Sequence, residues 1–471
     1  MSTQRKTVEI GAVIDSSNYF WVPFVISVMM ILMMLADGFD LFMMGHVSNH
    51  LVVDWAISRA ALGPINSAGL LGMAVGSVAL GWLGDRIGRK RSYFTCLVFL
   101  CVGSVLCFLT ATGAAHDIHQ LVLWRFVTGL GMGGVTPLAA TLISEWTSQR
   151  VRSVVVALVI SSVPLGGSLA GLAIKLVPWQ YMFLIGGLVP LALFAVFGYL
   201  FPESPKFMAQ HPAQHPRLAR SLNRLLGRQA FDGTEKFIVK EEGRHSSNWF
   251  ATLWNGHYRR ATFFIWVAFS FNSFVLYMYT NYLKVLLPAD RVAADVAGDA
   301  LSLFSVGAFF GSIGGALLIR LFGSRNVGSG IAFIGACCTA LIGVVLLGTG
   351  LPQASNVLVL SFLVGAAING MQAFMYAVSA HSYPTEIRGS AVGMAQTVSR
   401  VGAVASPSVA SAYFAMQPVP AVNLFFWFVA ICAFITALSF YLIPSHIPPN
   451  KDPRTGGLDL EAQAIRDGAA S

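Results

Sequence analysis

The chain has 471 residues, 55% of them hydrophobic and 11% charged, with a formal net charge of +9. A soluble domain carries about a quarter charged residues, so the composition excludes an ordinary soluble protein and places the chain in a membrane. Apolar runs succeed one another along the whole length, which argues against a cleaved leader followed by a soluble body.

Twelve helix-length apolar runs are predicted, at 20–46, 62–84, 92–112, 119–145, 153–176, 180–201, 262–287, 297–320, 327–349, 355–379, 389–413 and 421–443. The expected organisation is an N-terminal segment 1–19, a six-helix bundle 20–201, a central loop 202–260, a second six-helix bundle 261–443 and a tail 444–471. This is an all-α membrane protein of two pseudo-symmetric bundles.

The first run contains "DGFD", with Asp37 and Asp40 three positions apart and therefore on one face of a helix. Two readings are open: the helix ends at Ala36 and leaves the acids outside, or the apolar "LFMM" continues it and the acids lie within the membrane. An ionisable group at bilayer depth is a functional hypothesis.

The loop after the second run reads "GWLGDRIGRKRS", with Gly81, Asp85, Arg86, Gly88, Arg89, Lys90 and Arg91. Small residues allow helices to approach, and the cations suit an anionic leaflet. The fourth run holds Arg125 and the pair Gly129/Gly133, spaced for helix packing. Its glycines also spell G-x-G-x-x-G, but a dinucleotide site needs a preceding strand and a soluble βαβ unit. Glu145 ends this run near Arg150 and Arg152, as a gate residue or as a proton site.

In the central loop, "PRLARSLNRLLGR" sets leucines at helical spacing opposite arginines, which predicts a helix lying on the membrane surface. The seventh run offers Tyr277, Tyr279 and Tyr282, and the tenth Asn369, Gln372, Phe374 and Tyr376. Tyrosine combines an apolar body with a polar tip, as an aromatic ligand needs, although aromatic residues in helices more often serve packing. The eleventh run carries Arg400, either a clamp for a carboxylate or a structural arginine bonded to helix carbonyls.

Cation placement gives the orientation. Of the 30 Lys and Arg, Arg59, Lys175, Lys284 and Arg291 fall on one side, Arg125 and Arg400 fall within runs, and all the others fall on the opposite side. That bias makes the cation-rich side cytoplasmic, with both termini there. The basic balance is thus a topology signal, and no nucleic-acid partner is expected. The halves repeat: a shift of 236 superposes Arg152 on Arg388 and Gly129 on Gly365, and a shift of 235 brings Gly88 onto Gly323. Secondary transporters are built on such repeats, with the site near the midplane between them.

The loop Gly81–Arg91 resembles the signature of the major facilitator superfamily. The resemblance implies a central cavity lined by the first and fourth helices, with Asp85 closing the cytoplasmic side by pairing across the halves. Gly81, Arg86, Gly88, Arg89, Glu145 and Arg388 join it as gate candidates. "DGFD", "FPESPKF" at 201–207, "SYPTEIRGSAVG" at 382–393 and "SRVGAVASP" at 399–407 together resemble the aromatic acid:proton symporter family. That resemblance implies proton-coupled uptake of a small aromatic carboxylate across a bacterial inner membrane. Asp37, Asp40 and Arg125 would then couple protons. Arg400, Arg125, Tyr277, Tyr279, Asn369, Gln372 and Tyr376 would bind substrate.

The driving force expected is the proton gradient, with no cofactor and no metal. A carrier of a sugar or non-aromatic acid, or a receptor that does not transport, are the rivals. No enzyme is expected, since hydrolase and phosphate-loop motifs are absent. A monomer in the bilayer is expected to suffice.

Overall fold

In the computed structural model, residues 7–17, 21–114, 116–198, 202–238, 249–256, 258–287, 294–347, 354–416 and 421–449 are described. Arg291 and the tail beyond residue 449 lie outside them. Among the described residues, twelve helices form the body. They are α1 (Trp21–Asp54), α2 (Leu62–Ile87), α3 (Arg89–Thr112), α4 (Ile118–Trp146), α5 (Gln149–Ser161 and Val163–Ala173) and α6 (Tyr181–Phe197), then α7 (Arg259–Leu286), α8 (Ala294–Phe322), α9 (Ser324–Val345), α10 (Ala354–Ser382), α11 (Thr385–Met416) and α12 (Val422–Tyr441). Ten are long and apolar enough to cross a membrane. The others are α6, which is shorter, and α11, which is long but carries Thr, Gln, Ser and Arg among its apolar residues. Large apolar side chains such as Val78, Val154, Phe310, Val401 and Ile431 are exposed on the outside of both bundles, as lipid contact requires.

α1 settles the two readings of its acids. It runs unbroken through "DGFD" to Asp54, about 50 Å of helix, and buries both carboxylates. α5 breaks at Ser162, where Pro164 opens its second piece with a missing N–H that helix starts tolerate.

The repeat is visible in the packing. Gly72 and Gly76 of α2 sit against the main chain of Phe126 and Leu130 in α4, and Gly307 and Gly311 of α8 sit against Phe362 and Ala366 in α10. A methyl group at any of the four would strike a carbonyl, so these crossings depend on close backbone approach. Arg152 Nε donates to the Thr147 carbonyl and Arg388 Nε to the Tyr383 carbonyl, both at 3.3 Å. One structure has been built twice.

The two halves meet through α1 with α7, α2 with α11 and α5 with α8. Side-chain bonds between them lie toward the Asp54 end or in the middle: Ser411 Oγ donates to Ala60 O at 2.7 Å, Ser168 Oγ to Ser302 O at 3.0 Å, and Lys175 pairs with Asp299. Among the described residues, no side-chain hydrogen bond or ion pair joins the halves at the end carrying Asp85 and Arg388. The molecule is therefore closed at the Asp54 end.

The segments outside the bundles differ from expectation in two ways. A short parallel pair, β1 (Thr7–Glu9) with β2 (Lys236–Ile238), ties the N-terminal segment to the central loop. The helix His215–Leu226 does not lay its leucines on lipid: Leu218, Leu222 and Leu225 are buried in one cluster with Ile10, Ile14 and Phe237. An amphipathic face shows that a helix has an apolar partner, and here that partner is protein rather than bilayer.

Candidate transport site

The middle of the bundle gathers four ionisable side chains. Asp40 of α1 is fully buried and pairs with Arg125 Nη1 of α4 at 3.6 Å. Arg125 also lies beside Gly69 of α2, its guanidinium at van der Waals distance from where a Cβ there would stand. The two acids are grouped with Arg125 in the sequence, but the structure gives them different partners. Asp37 accepts instead from Thr136 Oγ1 at 3.3 Å, with no cation within 4.0 Å among the described residues. It remains within electrostatic reach of Asp40 and of Arg400.

Arg400 comes from α11 in the other half. Its Nη1 lies 2.9 Å from the Met73 sulfur of α2 and 3.4 Å from the Tyr277 hydroxyl of α7. The half-buried guanidinium thus crosses the interface to a thioether, a weak acceptor. No ion pair among the described residues includes it. Nearby, Gln372 Nε2 donates to Tyr376 OH at 3.4 Å, and Gln372 Oε1 accepts from Asn272 Nδ2 at 2.8 Å. Tyr376 lies within electrostatic reach of Arg400 and Tyr277. Asn369 Nδ2 turns back to the Gly365 carbonyl of its own helix at 3.5 Å.

Tyr279 is placed away from this group. It is 2% exposed, bonds Thr339 Oγ1 at 3.0 Å and stacks on Phe304 with ring centroids 5.4 Å apart, inside the C-terminal bundle. Its role in the structure is packing, and it does not join the residues around Arg400.

Asn272 and Thr136 were not singled out from sequence, although a signal existed. The shift of 235 carries Asp37 to Asn272, and the shift of 236 carries Thr136 to Gln372. The hydrogen bond between Asp37 and Thr136 in one half therefore has its counterpart between Asn272 and Gln372 in the other. The repeat kept the geometry and kept the charge on one side only.

The candidate gate residues form a network within the N-terminal half. Asp85 pairs with Arg89 at 2.6 Å, and Arg89 reaches Glu145 at 4.0 Å. Among the described residues, Asp85 makes no ion pair to the other half at this open end. Arg86 lies over the Trp82 ring at 3.8 Å, Gly81 is unconfined, and Arg388 is exposed on the opposite half. Glu203 completes the network. Its Oε1 accepts from the backbone N–H groups of Arg89 at 2.7 Å and Lys90 at 3.1 Å, capping the positive end of α3. Ser204 beside it donates to Glu145. Gly88 makes the turn possible with φ of +99° and no side chain to strike the Glu203 carboxylate. The second half caps α9 with different chemistry: Ile447 N donates to Ser324 Oγ at 2.8 Å, and Ser324 N donates to the Ile447 carbonyl at 2.9 Å.

Among the described residues, no group of three or more His, Cys, Asp or Glu is arranged to hold a metal ion. What the arrangement offers is buried charge in the middle of the N-terminal half, with Arg400 of the other half reaching across the interface toward it.

Comparison with known proteins agrees. The sequence profile of the sugar (and other) transporter family matches residues 11–446. A gallate transporter of Pseudomonas putida is 29% identical over 428 residues, covering 89% of this chain and 91% of its own. The 4-hydroxybenzoate transporter PcaK of Acinetobacter baylyi is 30% identical over 414 residues, covering 86% and 87%. A 3-(3-hydroxy-phenyl)propionate transporter of Escherichia coli is 29% identical over 392 residues, covering 82% and 85%. In fold, the chain is similar to the xylose transporter XylE of E. coli in a partially occluded inward-open conformation. The TM-score is 0.68 at 15% identity, covering 90% of this chain and 98% of XylE. The chain is a multi-pass membrane protein that belongs to the sugar (and other) transporter family within the major facilitator superfamily.

Proposed function

We propose that the protein carries a small aromatic carboxylate, such as a benzoate, hydroxybenzoate or phenylpropionate, together with protons by alternating access. The observation that carries this reading is Arg400: a guanidinium between the halves, with a thioether and a phenol as its described partners and, among the described residues, no carboxylate within 4.0 Å. A planar fork in that position suits a carboxylate. Tyr277, Tyr376, Gln372 and Asn272 supply polar contacts and aromatic surface beside it. The relatives that carry gallate, 4-hydroxybenzoate and 3-(3-hydroxy-phenyl)propionate support the class.

Proton coupling is assigned to Asp37. Asp40 is held by Arg125, whereas Asp37 has a hydroxyl partner, so it gains or loses a proton without stranding a buried cation. The substrate anion at Arg400 lies within electrostatic reach of Asp37, which links the two events. The cation-rich end faces the cytoplasm of a bacterial inner membrane, with both termini there, and the closed Asp54 end faces outward. The carrier works as a monomer without a cofactor, on the proton gradient.

The test is counterflow in proteoliposomes loaded with unlabelled benzoate. Labelled benzoate and hydroxybenzoates should exchange, and a labelled sugar should not. Exchange of the sugar alone would overturn the substrate class. Saturable binding without exchange would make the protein a receptor.

A further inference from the structure

The closed end holds a buried cation that the transport reading does not use. Lys284 is in the last turn of α7 and only 7% exposed. The sequence puts it at the outer end of the seventh run, and α7, which ends at Leu286, carries it into the interface. Its Nζ donates to the His46 carbonyl of α1, in the other half, at 3.1 Å. Among the described residues, no carboxylate lies within 4.0 Å of it. Asp295 and Lys175 act on it from further away.

A lysine in the last turn of a helix is favoured by the helix dipole. That explains the position along α7 and not the burial, since a lysine at the rim would gain as much. Removing an ammonium from water is costly, and one peptide carbonyl replaces little of its hydration. The contact also spans the two halves, so it lasts only while this end is closed. In the alternating-access reading, opening this end takes His46 away with α1 and leaves Lys284 on α7, facing the vestibule. The Lys175–Asp299 pair parts at the same time and leaves one charge on each wall, which cancel. Lys284 then loses its described acceptor, and among the described residues no carboxylate stands within 4.0 Å to replace it.

We infer that Lys284 exchanges partners during the cycle: it latches the closed end to the His46 carbonyl, and in the open vestibule it is the first binding point for the incoming carboxylate, ahead of Arg400. The inference rests on the transport reading above.

The test needs the Asp54 end held open. A side chain at Gly45 would run into the Thr280 carbonyl and Leu301 across the interface, so Gly45→Phe wedges the halves apart there. Gly171→Phe, against Ser302, does the same if the first protein is not recovered. With Arg400→Met added to remove the central site, benzoate and its neutral amide, benzamide, are titrated by calorimetry. Benzoate should still bind, and Lys284→Met should weaken it about ten-fold or more, as loss of a charge-assisted hydrogen bond does. Benzamide should not move, and Lys284→Arg should retain most of the affinity. In the unwedged Arg400→Met protein, Lys284→Met should change nothing. Equal loss of benzoate and benzamide, or no loss in the wedged protein, would overturn the inference. So would a wedged Arg400→Met protein that binds no benzoate, while the transport reading stands. Failure of the unsubstituted protein to bind any aromatic carboxylate would overturn both.

Discussion

Replacing Asp40 by Asn isolates what the buried ion pair does. The change preserves volume and removes one charge. Arg125, whose side chain is 6% exposed, then keeps its guanidinium in the bundle with no carboxylate within 4.0 Å. Breaking a buried pair from one side costs about 3–5 kcal/mol, because the remaining charge is uncompensated. Asp37→Asn removes much less: one hydroxyl bond of 3.3 Å, about 1–1.5 kcal/mol, with no cation stranded. The two neighbouring acids should therefore differ by about 2 kcal/mol or more, although their sequence contexts look alike. The assay is reversible unfolding of the purified protein in detergent, run as a double-mutant cycle with Arg125→Gln. The double variant Asp40→Asn, Arg125→Gln should recover most of the loss, since neither charge remains to be stranded. Equal destabilisation by the two Asn variants, or strict additivity in the cycle, would refute the pairing.

Three further outcomes follow from the geometry. Arg400→Lys keeps the charge but loses the fork, so benzoate binding should weaken by about ten-fold or more while benzamide binding changes little; equal weakening of both, measured by calorimetry, would make Arg400 a structural residue. Gly88→Ala forces a Cβ into a φ of +99° beside the Glu203 carboxylate, which should cost about 1–3 kcal/mol in unfolding experiments and leave substrate affinity intact. Glu203→Gln weakens two charge-assisted caps on α3, at a cost of about 1–2 kcal/mol, and should slow turnover more than it alters binding if the Glu145–Arg89–Glu203 network sets the gate; transport rate and equilibrium binding measured side by side decide it.

Much of this architecture is written in local pattern. Helix-length apolar runs mark the spans, and Arg152 and Arg388 mark a repeat that the structure expresses as the same hydrogen bond in both halves. Asp40 with Arg125 could be anticipated because two opposite charges at one depth in a bilayer have few other partners. What stayed hidden depends on distant chain segments. Glu203 caps a helix more than a hundred positions earlier, and nothing near it in sequence says so. The leucines of His215–Leu226 meet Ile10 and Ile14 from the other end of the half, so their amphipathic spacing suggested lipid instead. Tyr279 and Tyr277 are two positions apart on α7, and the helical turn between them sends one into the bundle and the other to the interface. Lys284 read only as an outer-side cation at the end of its run, because cation counting gives a side of the membrane and not the neighbour a side chain meets.

The most direct test of the account is accumulation. Proteoliposomes of the unsubstituted protein and of Asp37→Asn are given labelled benzoate, with and without an inward proton gradient. The account predicts that the unsubstituted protein concentrates benzoate above equilibrium only when the gradient is present, and that Asp37→Asn exchanges benzoate but does not concentrate it. Full gradient-driven accumulation by Asp37→Asn, or equal uptake by the unsubstituted protein with and without the gradient, would contradict it.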